Sequence, residues 1–119
     1  MRLGELINPP EKEGKEKHVP VIKAPDKVKK GEWFEVEVVV GEEVPHPNTP
    51  EHHISWIEVY YKPDGAKPVY MVARFAPAPT YADSRVKFRM RVDEPGYIIA
   101  LEHCNLHGLW DNSKRVEVE

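Results

Sequence analysis

Polar and apolar residues alternate without a fault over Arg85-Val86-Lys87-Phe88-Arg89-Met90-Arg91-Val92, which predicts a strand with one wet face and one buried face. Phe34, Val36, Val38 and Val40 alternate with Glu35, Glu37 and Val39 in the same way. Val69, Met71, Ala73 and Phe75 form a third row. Residues 54–61 are rich in aromatic and β-branched side chains, which suits a strand partly covered on both faces. Residues 96–103 and 115–119 complete the set, and residues 19–23 predict a short additional strand.

Turn chemistry separates these runs. Pro63-Asp64-Gly65 and Glu94-Pro95-Gly96 combine a proline that presets φ with a glycine that permits positive φ, and Lys29-Lys30-Gly31 predicts another turn. Ala76-Pro77-Ala78-Pro79-Thr80 reads as an extended loop. About seven short strands and no long amphipathic helix predict an all-β fold, an antiparallel β-sandwich or barrel of immunoglobulin-like outline. Residues 1–15 are polar and rich in Pro, Glu and Lys, so they are expected to be a flexible arm ahead of one domain spanning residues 16–119. At 119 residues the chain buries roughly two-thirds of its surface on folding, enough for a real core.

Charge and cysteine content narrow the function. A net charge of -3 with mixed signs argues against a general nucleic-acid binder. One Cys makes no internal disulfide, so a reducing compartment is the simpler expectation. No apolar run has the length of a signal peptide or a membrane span, and the expected location is the cytoplasm.

Candidate chemistry lies in three short segments: Glu16-Lys17-His18-Val19-Pro20, residues 45–53 (Pro45-His46-Pro47-Asn48-Thr49-Pro50-Glu51-His52-His53), and Cys104-Asn105-Leu106-His107-Gly108. Taken alone, each has a bland reading: a solvated charge pair beside a structural His, an exposed polar loop, a buried Cys near an unrelated His. Together they hold six of the seven His and Cys residues of the chain, and five of these, His18, His46, His52, Cys104 and His107, read as one metal site. Imidazole and thiolate are the side chains that hold borderline and soft transition metals. Pro45, Pro47 and Pro50 stiffen the middle segment and lower the entropy lost on binding a metal. His52 and His53 are adjacent at a strand start, so only one of them easily reaches a shared ion. Four imidazoles and a thiolate exceed a closed tetrahedral zinc site. Met1, Met71 and Met90 all precede Cys104, so a blue-copper axial Met is missing from its usual place. Five donors with one open position suit iron best. A cupredoxin-like electron carrier and a binding module with a structural metal are the competing readings.

The combination Glu-Lys-His-Val-Pro, Pro-His-Pro-Asn-Thr-x-Glu-His-His-Ile and Cys-Asn-x-His-Gly-Leu-Trp resembles the superoxide reductase family, specifically its one-iron neelaredoxin type. The likeness runs from Glu16 to the last strand. Two-iron members carry an additional N-terminal domain with four Cys; no such Cys occur here, so the resemblance is to the one-iron class. The resemblance implies one non-haem Fe(II)/Fe(III) per chain, with His18, His46, His52 and His107 as equatorial ligands and Cys104 as axial thiolate. It implies that Glu16 occupies the sixth position in the ferric form and that Lys17 is the cation beside it. It further implies reduction of superoxide to hydrogen peroxide, rubredoxin or a similar small protein as electron donor, and a homotetramer. Lys17 would attract the anion and orient a proton donor. Backbone amides of Leu106 and His107 are expected to hydrogen-bond the Cys104 sulfur. Pro50 and His103 depart from the family pattern, and residues 75–84 form a short segment for it.

Overall fold

A computed structural model describes residues 1–119. Eight strands form two sheets: β1 (Val21–Lys23), β2 (Lys27–Val28), β3 (Phe34–Val39), β4 (Ile54–Pro63), β5 (Tyr70–Phe75), β6 (Arg85–Met90), β7 (Gly96–Cys104) and β8 (Gly108–Val118). One sheet has the order β1-β3-β6 and the other β2-β8-β7-β4-β5. All pairings are antiparallel except β2 with β8. The two sheets make a β-sandwich.

The alternating runs point where their period requires. Val36 and Val38 of β3 are fully buried between the sheets, opposite Ile57 and Val59 of β4 and Ile98 and Ala100 of β7. Arg85, Lys87 and Arg89 of β6 stay in water, and Lys87 pairs with Glu35 and Glu37 across the β3–β6 ladder.

Three expectations are corrected by the structure. The row Val69, Met71, Ala73 and Phe75 does not face inward as a unit. A bulge opposite Val59 and Tyr60 inserts Val72 as an extra residue, which flips the facing of everything before it. Ala73 therefore turns inward while Val69, Tyr70 and Met71 are more than half exposed. Gly96 does not need a positive φ, because its role is close approach: a Cβ there would lie 2.2 Å from the Lys62 carbonyl oxygen. The C-terminal strand begins at Gly108 and not at residue 115, because residues 108–114 pair with β7 along its length.

Residues 1–15, expected to be a flexible arm, carry local structure. They contain a short helix α1 (Leu3–Leu6) and a 3₁₀ turn (Pro10–Lys12). Asn8 bridges Trp110: its N–H donates to Leu109, and its carbonyl accepts from Asp111. Contacts cross the expected boundary at residue 16, since Glu13 hydrogen-bonds the backbone of His18 and Val19. Polar composition signalled an exposed segment, but backbone pairing to the β8 edge gave it a place to dock.

Candidate metal centre

The three chemistry-bearing segments converge at one end of the sandwich. Cys104 is the last residue of β7 and is fully buried. His107 follows in the tight β7–β8 hairpin, which Gly108 closes at φ +82°. His46 and His52 come from the proline-rich loop between β3 and β4. Gly41 lets that loop fold back on itself: its φ is +88°, and a Cβ would lie 2.4 Å from the His46 nitrogen. His18 precedes β1 and stacks on Trp110 of β8, with ring centroids 4.8 Å apart and planes inclined by 10°.

Four rings form a closed circuit. Centroid separations are 5.1 Å for His18–His46, 4.9 Å for His46–His52, 5.2 Å for His52–His107 and 4.9 Å for His107–His18. Each neighbouring pair meets edge-to-face. Glu16 Oε1 sits over the middle, 2.9 Å from His18 Nε2, 3.2 Å from His46 Nε2, 3.0 Å from His52 Nε2 and 3.1 Å from His107 Nδ1. The donor atoms of Glu16, His18, His52, Cys104 and His107 all lie within 4.8 Å of one another. Donors at right angles around an ion with bonds of about 2.1 Å are about 3.0 Å apart, so this carboxylate–nitrogen spacing is that of ligands sharing one ion.

Unmet polarity points the same way. Glu16 Oε1, His46 Nε2 and His52 Nε2 are buried without a hydrogen-bond partner. Such atoms are costly unless something binds them. His46 Nδ1 donates to the Pro47 carbonyl at 2.8 Å, which fixes the tautomer that leaves Nε2 free as a donor to an ion. Burial lowers the pKa of His18 and of His46, so both favour the neutral, ligand-competent ring. Burial acts to raise the Glu16 carboxyl, but the four imidazoles outweigh it and hold it below its ordinary value. Burial pushes the Cys104 thiol up, while the Leu106 and His107 amides hydrogen-bond the sulfur and pull the other way.

His53 turns away, with its Nδ1 3.0 Å from the Thr49 carbonyl, and His103 stacks on Trp56 on the opposite face from Cys104. Lys17 is not within the ring of imidazoles. Its ammonium lies 3.8 Å from Glu13 Oε1 and lines a half-open side pocket of about 300 Å³ with Glu42 and Glu43. Sequence reasoning missed the brace residues. Asn105 Oδ1 accepts from the His53 amide and Asn105 Nδ2 donates to the Glu51 carbonyl, tying the β7–β8 hairpin to the His52 loop. Trp110 donates its indole N–H to the His107 carbonyl while stacking on His18. Asn105 and Trp110 stand inside the recognised motif, but nothing in their spacing reveals those partners.

A carboxylate among four imidazoles, with a cysteine sulfur beside them at the end of a β-sandwich, defines a mononuclear non-haem metal protein. The family model for desulfoferrodoxin matches residues 10–113, and the chain belongs to that family. It is 43% identical over 105 residues to a superoxide reductase of Pyrococcus horikoshii, covering 86% of this chain and 89% of the relative. It is 40% identical over 116 residues to neelaredoxin of Megalodesulfovibrio gigas, covering 87% and 89%. Among solved structures, a superoxide reductase (neelaredoxin) of Ignicoccus hospitalis superposes with a TM-score of 0.93 at 41% identity, covering all of both chains. The donor set fits the single non-haem iron of this family.

Proposed function

We propose that this protein is a superoxide reductase in which His18, His46, His52, His107 and Cys104 hold the iron. The observation that carries the reading is the single carboxylate oxygen of Glu16, equidistant from four imidazole nitrogens. The reaction consumes one superoxide anion, one electron and two protons and yields hydrogen peroxide. Iron held by these residues would supply the one-electron chemistry, and the Cys104 sulfur would raise the electron density on it.

The residues of the chain do the rest. Glu16 marks the anion-accepting side of the ring and must swing out before superoxide enters; it is carried on a loop and is a third exposed. Lys17 supplies local positive charge at the rim of an otherwise acidic protein and orients the proton donor for peroxide. Leu106 and His107 amides tune the sulfur.

Replacement electrons come from outside, because the only Cys of the chain is already in the site. Rubredoxin or a similar small electron donor suits this role. No helix is long and apolar enough to cross a membrane. The buried free thiol suits a reducing compartment such as the cytoplasm. The exposed apolar residues Val69, just before β5, and Tyr70 and Met71 on it suit burial in a homotetramer.

Pulse radiolysis of the iron-loaded protein tests the activity. One peroxide formed per ferrous ion oxidised, with no dioxygen evolved, is the expected result. Dioxygen release in a one-to-one ratio with peroxide would show dismutation in its place.

A further inference from the structure

Glu13 stands outside every motif named above, yet it touches the backbone of the segment that carries Glu16, Lys17 and His18. Its Oε2 accepts two backbone donors, the His18 N–H at 3.0 Å and the Val19 N–H at 2.6 Å. Its Oε1 lies 3.8 Å from Lys17 Nζ. No backbone carbonyl takes the His18 or Val19 amide. Pro20 follows and has no N–H of its own. One side chain therefore satisfies the last two backbone donors before Pro20, where the chain swings from the docked N-terminal segment into β1.

The geometry of the centre makes this anchoring consequential. Glu16 Oε1 is within 3.2 Å of four nitrogens from three separate segments, and His18 Nε2 is one of them. The loop 13–18 brings both to that point and has no strand pairing before β1 begins at Val21. Its start is tied to its end by the Glu13 carboxylate. Amide bonds to an ionised acceptor are the strong kind. The contact with Lys17 is longer and partly exposed, so as an ion pair it contributes little by itself.

We propose that Glu13 is a positioning residue, a carboxylate clamp that closes the loop 13–19 and so sets Glu16, Lys17 and His18 against the other imidazoles. The clamp deepens the superoxide reductase reading and rests on it for the iron-loaded measurement alone. A carboxamide oxygen at the same place can accept both amides, so Glu13→Gln preserves the clamp and removes the charge beside Lys17. Glu13→Ala removes both.

Amide hydrogen exchange in the full-length, metal-free protein tests the clamp without any activity. Glu13→Ala is expected to speed exchange at His18 and Val19 by about tenfold or more, with the β7 amides of Ile98 and Ala100 unchanged. Glu13→Gln is expected to exchange close to the native rate. Native exchange in Glu13→Ala, or equally fast exchange in both variants, overturns the proposal. Should Glu13→Ala fail to fold, Glu13→Asp, one methylene short of the amides, takes its place with the same expectation. In the iron-loaded protein, the second-order rate constant with superoxide is expected to fall in Glu13→Ala and recover in Glu13→Gln, and a fall without recovery also overturns the clamp. A native chain that ignores superoxide would sink the functional reading and leave the exchange result standing.

Discussion

Glu102 projects from β7 on the same face as Ala100 and Cys104, fully buried, with neither carboxylate oxygen hydrogen-bonded. Burial, helped by the nearby charge of Glu13, pushes its pKa up to about 9. The folded chain therefore holds a proton there that the unfolded chain releases above its ordinary value of 4.5. Its contribution to stability is complete below that value and is lost as pH rises toward about 9. Glu102→Gln should stabilise the metal-free protein at neutral pH by about 1–3 kcal/mol and flatten its stability between those limits. Chemical denaturation across that pH range checks this, and a variant that is less stable at pH 7 contradicts it. Lys17 makes the complementary test in function. Lys17→Ala should retain iron and lower the second-order rate with superoxide by about tenfold. An unchanged rate in pulse radiolysis rejects its role in steering and proton delivery. His18, His46, His52, Cys104 and His107 were legible as a cluster because their side-chain chemistry is scarce in this sequence. Glu102 and Glu13 were not, since in a chain with 20 Asp and Glu an acidic residue carries no mark of burial or of what it bonds.

The four imidazoles proposed as ligands sit on loops flanking the strands, and Cys104 ends β7. Pro45, Pro47 and Pro50 restrict the loop between β3 and β4, and Gly41 lets it return on itself. Gly41→Ala would meet the His46 nitrogen and force a side chain into a left-handed backbone. It should cost about 1–3 kcal/mol in thermal unfolding and weaken iron retention. Wild-type stability and iron content together would contradict that reading. Strands β3 and β6 were legible because a period of two, unbroken in β6 and broken in β3 only at buried Val39, sets the facing of each strand. β5 was misjudged at its N-terminal half because a one-residue bulge changes the facing without changing the residue types. The start of β8 was missed because Gly108, Asn112 and Ser113 lack β propensity. Pairing with the full length of β7 overrides that weakness.

At the scale of the molecule, the sandwich is a rigid holder for a site at one end. β7 runs through the middle of the five-stranded sheet, flanked by β4 and β8, so Cys104 is anchored by the most paired strand in the protein. The imidazoles come from flanking loops and complete the ring around it. Exposed Tyr70 and Met71 lie on the edge strand β5, and exposed Val69 directly precedes it. Light scattering at micromolar protein should give four chains per particle, and a monomer would remove the tetramer. Segments before β1, between β3 and β4, and at the end of β7 are proposed to close around one ion. Iron X-ray absorption on the reduced, iron-loaded protein tests this closure most directly. One iron per chain with four imidazole nitrogens and one sulfur is expected, with the sulfur lost in Cys104→Ser. An iron without sulfur in the native chain, or a four-coordinate site, would contradict it.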